Sequence, residues 1–104
     1  MSAARWETES FQAIVEESLA RVSKALGEFA EREKVAAKDP LRQAYELRWQ
    51  DKITSETYAS VNSLFQSGRL ILGMSRAPKS SITSRFVDFA REIEGNIRAS
   101  AHQE

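Results

Sequence analysis

Cysteine is absent from this 104-residue chain, histidine occurs once, as His102, and proline occurs twice. Without a thiol there are no disulfide staples and no thiolate metal sites, so the fold has to rest on packing. A single histidine next to the C-terminus cannot supply the nucleophile–base pairs of the common covalent mechanisms. The carboxylates Glu16 and Glu17, and Glu92 and Glu94, fall on polar helix faces, where nothing raises a pKa for acid catalysis. The four glycines, at 27, 68, 73 and 95, are isolated and form no phosphate-cradling loop. No catalytic, metal or cofactor-binding residue is therefore assigned, and the expectation is that the chain is not an enzyme.

Net charge is also missing: fifteen Lys and Arg balance fifteen Asp and Glu. This balance argues against a broad basic nucleic-acid surface and against a polybasic membrane tail. No apolar run approaches the ~18 residues of a membrane span, so no membrane partner is expected. The N-terminal MSAARWETES lacks the apolar centre of a secretion signal. The default location is the cytoplasm, as a soluble protein, with secretion that uses no cleaved signal left open. At this length the reading is one helical domain over residues 1–104.

What is present is helical periodicity. From Ile53 to Met74, the residues Tyr58, Val61, Phe65, Gly68 and Leu72 step by three and four, with Leu70, Ile71 and Leu72 widening the stripe. A helix end that is apolar on several sides calls for neighbours on several sides. This segment is read as the central helix of a bundle. Residues 4–37 read as one long helix on the seam Val15, Leu19, Val22, Leu26 and Phe29, with Phe11 a turn upstream. Glu7 and Glu9 suit its N-terminal dipole. Gly27 inside it costs ~1 kcal/mol against alanine, which suggests a close neighbour.

Asp39-Pro40 gives a favoured N-cap and a favoured first helical residue, so a second helix is placed over about 40–74. Gly73 through Ser80 forms the second break. Ile82, Phe86, Phe89, Ile93, Ile97 and Ala101 mark a third helix over about 81–101. The predicted fold is thus all-α, a three-helix antiparallel bundle with two long helices and a shorter third.

Antiparallel folding about the first turn sets Phe29 near Trp49, Phe11 near Gly68 and Trp6 near Gly73. About the second turn, Ile82 meets Leu72, Phe86 meets Gly68 and Phe89 meets Phe65. At ~1.5 Å per residue the third helix is too short to flank the other two, leaving a two-helix arm of residues 26–38 and 40–52. Exposed apolar surface marks contact sites, and Trp and Tyr are enriched in contact hot spots. Phe29, Leu41, Tyr45 and Trp49 are accordingly the expected partner-binding residues. The favoured function is a non-catalytic protein–protein interaction module, an adaptor or oligomerisation domain, with a homodimer or hetero-oligomer as the assembly.

Charge supplies the alternative. Residues 57–87 carry Arg69, Arg76, Lys79 and Arg85 and no acid. This basic island is a candidate anion site for nucleic-acid or regulatory binding, with Ser80 and Ser81 at a helix start. Four cations are few for tight phosphate binding, and Asp88, Glu92 and Glu94 on the next helix disfavour a recognition helix, so nucleic acid is the weaker expectation. A small secretion-related substrate or chaperone would carry the same pattern. Small secreted helical hairpins of about this length have Trp-x-Gly at the bend. Here Gln50 and Asp51 follow Trp49, expected well inside a helix, and the chain resembles no family.

Overall fold

Three of the four helix starts among the described residues are written locally, by a side-chain cap. In the computed structural model, which describes residues 10–102, the elements are α1 (Phe11–Arg32), α2 (Pro40–Trp49), α3 (Ser55–Leu72) and α4 (Ser80–His102). The Ser10 side chain accepts from the Gln12 N–H at 3.1 Å, Asp39 from the Arg42 N–H at 3.0 Å, and Thr54 from the Thr57 N–H at 3.0 Å. These are three side-chain N-caps, each satisfying a donor the helix leaves open. Pro40 follows Asp39 at a position where its missing N–H costs nothing. The all-α class expected from periodicity is what forms, and the described residues contain four helices rather than three.

The fourth helix arises because the expected second helix breaks after Trp49. Asp51 adopts a left-handed φ of 62°, its N–H donates to the Arg48 carbonyl at 2.9 Å, and the Lys52 N–H donates to the Leu47 carbonyl at 2.8 Å. That pair of bonds is a Schellman ending. The same ending stops α1 at Arg32 instead of residue 37. Lys34 has φ 60°, the Lys34 N–H donates to the Glu31 carbonyl at 3.1 Å, and the Val35 N–H to the Ala30 carbonyl at 2.8 Å. Glycine is the usual residue at this left-handed position, and the chain uses lysine and aspartate. The expected start of the first helix at residue 4, the dipole roles of Glu7 and Glu9, and the meeting of Trp6 with Gly73 lie outside the described residues.

α1 and α4 lie side by side and parallel. Arg21 Nε meets Glu94 Oε1 at 3.0 Å, Arg98 Nη1 meets Glu28 Oε1 at 2.9 Å, and Arg32 Nη1 donates to the Ala101 carbonyl at 2.8 Å. α4 therefore reaches the last turn of α1. With 23 residues it is the longest helix, one residue longer than α1. The third helix of the sequence reading forms at nearly its expected bounds, as α4, but it is not the shorter one, and the expected two-helix arm does not form. α3 runs back between α1 and α4, and α2 packs against α1 and α3. The particle measures 44 × 27 × 21 Å, shorter than two ~50 Å rods would make it.

The early ending of α1 also moves the α1–α3 register. Gly68 sits beneath Leu19, close enough that a Cβ on it would lie 2.9 Å from Leu19 Cδ1, and Lys52 Nζ pairs with Glu33 at 3.3 Å. The expected Phe11–Gly68 partnership is displaced by about two turns, though Gly68 keeps its role of admitting a large side chain. The α3–α4 register follows the turn-based expectation, with Ser67 and Ile71 lining one groove with Ile82, Phe86 and Phe89. The core runs through Val15, Val22, Leu26, Phe29, Leu47, Val61, Leu64, Ile93 and Ile97. Its α3 face is Thr57, Val61, Leu64, Gly68 and Ile71, rotated slightly from the expected stripe, with Tyr58, Phe65 and Leu72 half-buried. Gly27 has open space where a Cβ would stand, so no close neighbour explains it.

Candidate partner-binding surfaces

α2 is a ten-residue helix, too short to persist alone. What holds it is Ala44 and Leu47, both fully buried, and Gln43, whose Nε2 donates to the Ala37 carbonyl at 3.0 Å. With that face fixed, Leu41, Tyr45 and Trp49 follow at four-residue spacing along another side of the helix. Leu41 is half-buried against the core, Tyr45 is 41% exposed and Trp49 is 77% exposed. The Tyr45 ring stands 6.4 Å from that of Tyr58, tilted 59°, and the Arg42 guanidinium lies 4.8 Å from its centroid. Arg42 itself is steadied by Glu46 at 3.0 Å. Tyr45 is thus pre-positioned by two neighbours, and Trp49 stands at the end of the row in solvent.

Phe29, grouped with these three on sequence, is elsewhere. It is 2% exposed and belongs to the core. Its burial follows from α4 reaching the end of α1, the packing the sequence reading had left out. Of the four expected contact residues, the structure brings Leu41, Tyr45 and Trp49 together and removes Phe29.

The basic island occupies the opposite end of α3. Arg69, Arg76, Lys79 and Arg85 are all exposed, and among the described residues none of the four is in an ion pair. Between α3 and α4 at that end runs an apolar groove of about 280 Å³, lined by Ser67, Ile71, Ile82, Arg85, Phe86 and Phe89. Leu70 (67% exposed), Met74 and Ile82 (43%) are uncovered in the same region. These residues were not assigned to a site from sequence. The signal was the three-sided apolar run at Leu70–Leu72, which was read as a demand for covering helices within the chain. The fold buries Ile71, half-covers Leu72 and leaves Leu70 in solvent.

The Arg98 guanidinium bonded to Glu28 holds that carboxyl below its ordinary value, and the same bond raises Arg98. Among the described residues no three or more His, Asp or Glu side chains group as metal ligands, and His102 is exposed at the end of α4. Nor, among them, is any helix long and apolar enough to cross a membrane. Compared with known proteins, the chain matches no family, and neither a curated protein nor a solved structure is similar to it.

Proposed function

We propose that this chain is a non-catalytic protein–protein interaction module, an adaptor or oligomerisation domain, acting through apolar side chains that its own fold leaves uncovered. The observation that supports this reading is Trp49, 77% exposed on a helix whose other face is locked into the core. An indole in solvent forfeits the burial that normally stabilises it. It also offers a large contact area at little conformational cost, the property that makes Trp a frequent hot spot. Tyr45, half covered and steadied by Arg42 and Tyr58, supplies the adjoining contact.

The simplest occupant is a second copy, since a two-fold pair would bury both indoles with one contact. Light scattering and sedimentation over a wide concentration range test this. The wild type is expected to dimerise, and Trp49→Ala to weaken the dimer at least tenfold, with Tyr45→Ala weaker in effect. Trp49→Ala is expected to keep its fold, because the truncated atoms are largely exposed, and circular dichroism checks the fold of Tyr45→Ala, whose ring packs against Tyr58. A wild type that stays monomeric at high concentration ends the homodimer version and leaves a heterologous partner. Nucleic-acid or regulatory binding through Arg69, Arg76, Lys79 and Arg85 is the second reading, supported by the absence of ion pairs around those four cations.

A further inference from the structure

We propose that this chain pairs with a second copy of itself by exchanging halves, α2 and α3 fusing through Asp51 into one helix. α1 and α2 of each copy then pack on α3 and α4 of the other. The inference rests on the oligomerisation reading and states how two copies join. Three observations carry it. The break between α2 and α3 is Gln50 to Thr54, five residues with neither glycine nor proline. Within it Asp51 holds a φ of 62°, which an L-residue adopts at a cost and a continuous helix does not need. Next, the buried faces of the two helices are in phase across the break. Gln43 and Leu47 in α2 are buried, as are Thr57, Val61, Leu64, Gly68 and Ile71 in α3. Counted through Gln50 and Thr54, these positions step four, three, four, three without a slip, the seam of a single rod. Finally, Arg21 with Glu94, Glu28 with Arg98 and Leu19 over Gly68 all join α1 to the second half of the chain. Exchange makes each of these contacts intermolecular and loses none.

Packing selects the occupant. In a lone chain a rod from Pro40 to Leu72 carries α2 away from the α3–α4 pair. Either α1 stays on α4, and the buried Ala44 and Leu47 lose their cover, or α1 leaves with α2 and bares its own core face. A second copy in the same state covers both, and it alone supplies the side chains that fit, because they are the same side chains. Short strained hinges invite this exchange, and its product is a closed two-fold pair. The two chains cross at the hinge, so each Trp49, two residues before Asp51, comes to the axis and can be covered there. Opposing the exchange are the Thr54 cap on Thr57, which the rod gives up, and the dilution that parts any pair.

The test uses the full chain, which has no cysteine of its own. Glu28→Cys with Arg98→Cys marks a pair that meets across the α1–α4 seam at 2.9 Å, with both side chains accessible. The protein is unfolded, refolded at a series of concentrations, diluted and bridged with a short bis-maleimide, and its mass is read under denaturing conditions. In the closed chain the bridge stays within one polypeptide, and in the exchanged pair it links two. The two-chain product is expected to grow with the refolding concentration. The dimer dissociation constant is expected to be at least about tenfold lower for Asp51→Ala than for Asp51→Gly, since glycine accepts the left-handed turn and alanine favours the rod.

Circular dichroism confirms that each variant folds; should Asp51→Ala fail to fold, Asp51→Gln takes its place. A dimer whose bridge stays within one chain overturns the exchange and leaves the Trp49 surface standing as a face-to-face contact. Equal dimer fractions in Asp51→Ala and Asp51→Gly overturn it as well, as does an equal yield of two-chain product from Glu28→Cys alone. Asp51→Ala that stays monomeric at every refolding concentration also overturns it, and leaves a heterologous partner as the remaining occupant of the Trp49 surface.

Discussion

At the end of the bundle where α1 and α4 finish, cations meet carboxylates and the apolar residues are covered except on the outer side of α2, where Tyr45 and Trp49 are exposed. Arg98 bonds both Glu28 and Glu94, Lys52 bonds Glu33, and α2 folds across to bury Leu47 beside Phe29. At the end where α3 hands over to α4, four cations have no ion pair among the described residues and Leu70, Met74 and Ile82 face solvent. Both ends present cations and apolar residues, but residues 57–87 contain no carboxylate. The difference is that one end recruits an extra helix from its own chain and the other does not. A region that completes its own packing contributes to stability, and one that leaves apolar and charged groups unmatched is free to spend them on contacts.

The comparison breaks most easily at its largest expected effect. Leu47→Ala removes a fully buried side chain from α2 and is expected to cost roughly 2–5 kcal/mol. Leu70→Ala, at the open end, is expected to change stability by no more than about 0.5 kcal/mol. In thermal melts of a domain this size, each kcal/mol moves the midpoint by about 4–8 °C, so the contrast is easily read. Similar midpoints for the two variants would mean that α2 is a loosely attached arm, and the contrast between the ends would be gone.

The closed end also holds two strained residues, and relieving them sharpens the contrast. Lys34 and Asp51 sit at left-handed φ, which costs an L-residue roughly 1–2 kcal/mol and glycine almost nothing. Lys34→Gly is expected to raise stability by up to about 1 kcal/mol after glycine's greater unfolded-state freedom is subtracted. Asp51→Gly should gain less, because aspartate tolerates this region better and Asp51 pairs with Arg48 at 3.2 Å. Denaturant midpoints measure both. A loss of stability in Lys34→Gly would show that the side chain, and not the backbone turn, is what ends α1.

These two residues also mark where the sequence stopped being legible. The Asp39-Pro40 start, the α3 and α4 stripes and the α3–α4 register all followed from local signals of known spacing. The ends of α1 and α2 did not, because a left-handed stop is read from glycine and neither stop has one. A signal did exist for the second break: Thr54 stands three residues before Thr57, with Glu56 in the first turn of α3, the pattern of an N-cap. The irregular spacing of Leu41, Tyr45, Leu47 and Trp49 pointed the same way. Losing about five residues of helix from α1 and breaking the second rod shifted the α1–α3 register and folded the arm back. Trp49 is exposed for a different reason from the one sequence suggested: it ends a helix whose buried side is already committed through Leu47. The groove at the other end was visible only as an apolar excess at Leu70–Leu72, since nothing local says whether such an excess is covered from within or from outside.

Two glycines offer a smaller test that separates packing from propensity. Gly27 and Gly95 lie in helices with nothing within 4 Å of where a Cβ would stand. Alanine at either position is expected to stabilise by about 0.5–1 kcal/mol through helix propensity alone. Gly68→Ala has the same propensity gain but puts its Cβ against the Leu19 head, and overpacking of this kind costs roughly 1–3 kcal/mol. It is expected to be neutral or destabilising, with Leu19→Ala in the same chain relieving the clash. A gain at Gly68 equal to that at Gly27 would mean that the α1–α3 contact is looser than the Leu19–Gly68 approach implies.

The smallest effect comes from protons, and it is confined to the closed end. The bond from Arg98 holds the Glu28 carboxyl below its ordinary value. A carboxylate whose pKa is lower in the folded state contributes stability above its unfolded pKa and loses it as pH falls through the folded value. The partner arginine is raised, so its contribution would be lost only in strong alkali. Glu28 is exposed, so the contribution is screened and small. Glu28→Gln is therefore expected to lower the denaturation midpoint slightly at neutral pH and low salt. The difference should shrink in high salt and vanish at pH values below the ordinary glutamate range. Among the described residues no carboxylate bonds the cations of the open end, so neutralising Arg69 or Arg85 with glutamine should leave the acid limb of the stability curve where the wild type has it. An acid limb that moves with Arg69→Gln would place an unrecognised carboxylate against that cation, and the contrast between the two ends would be gone.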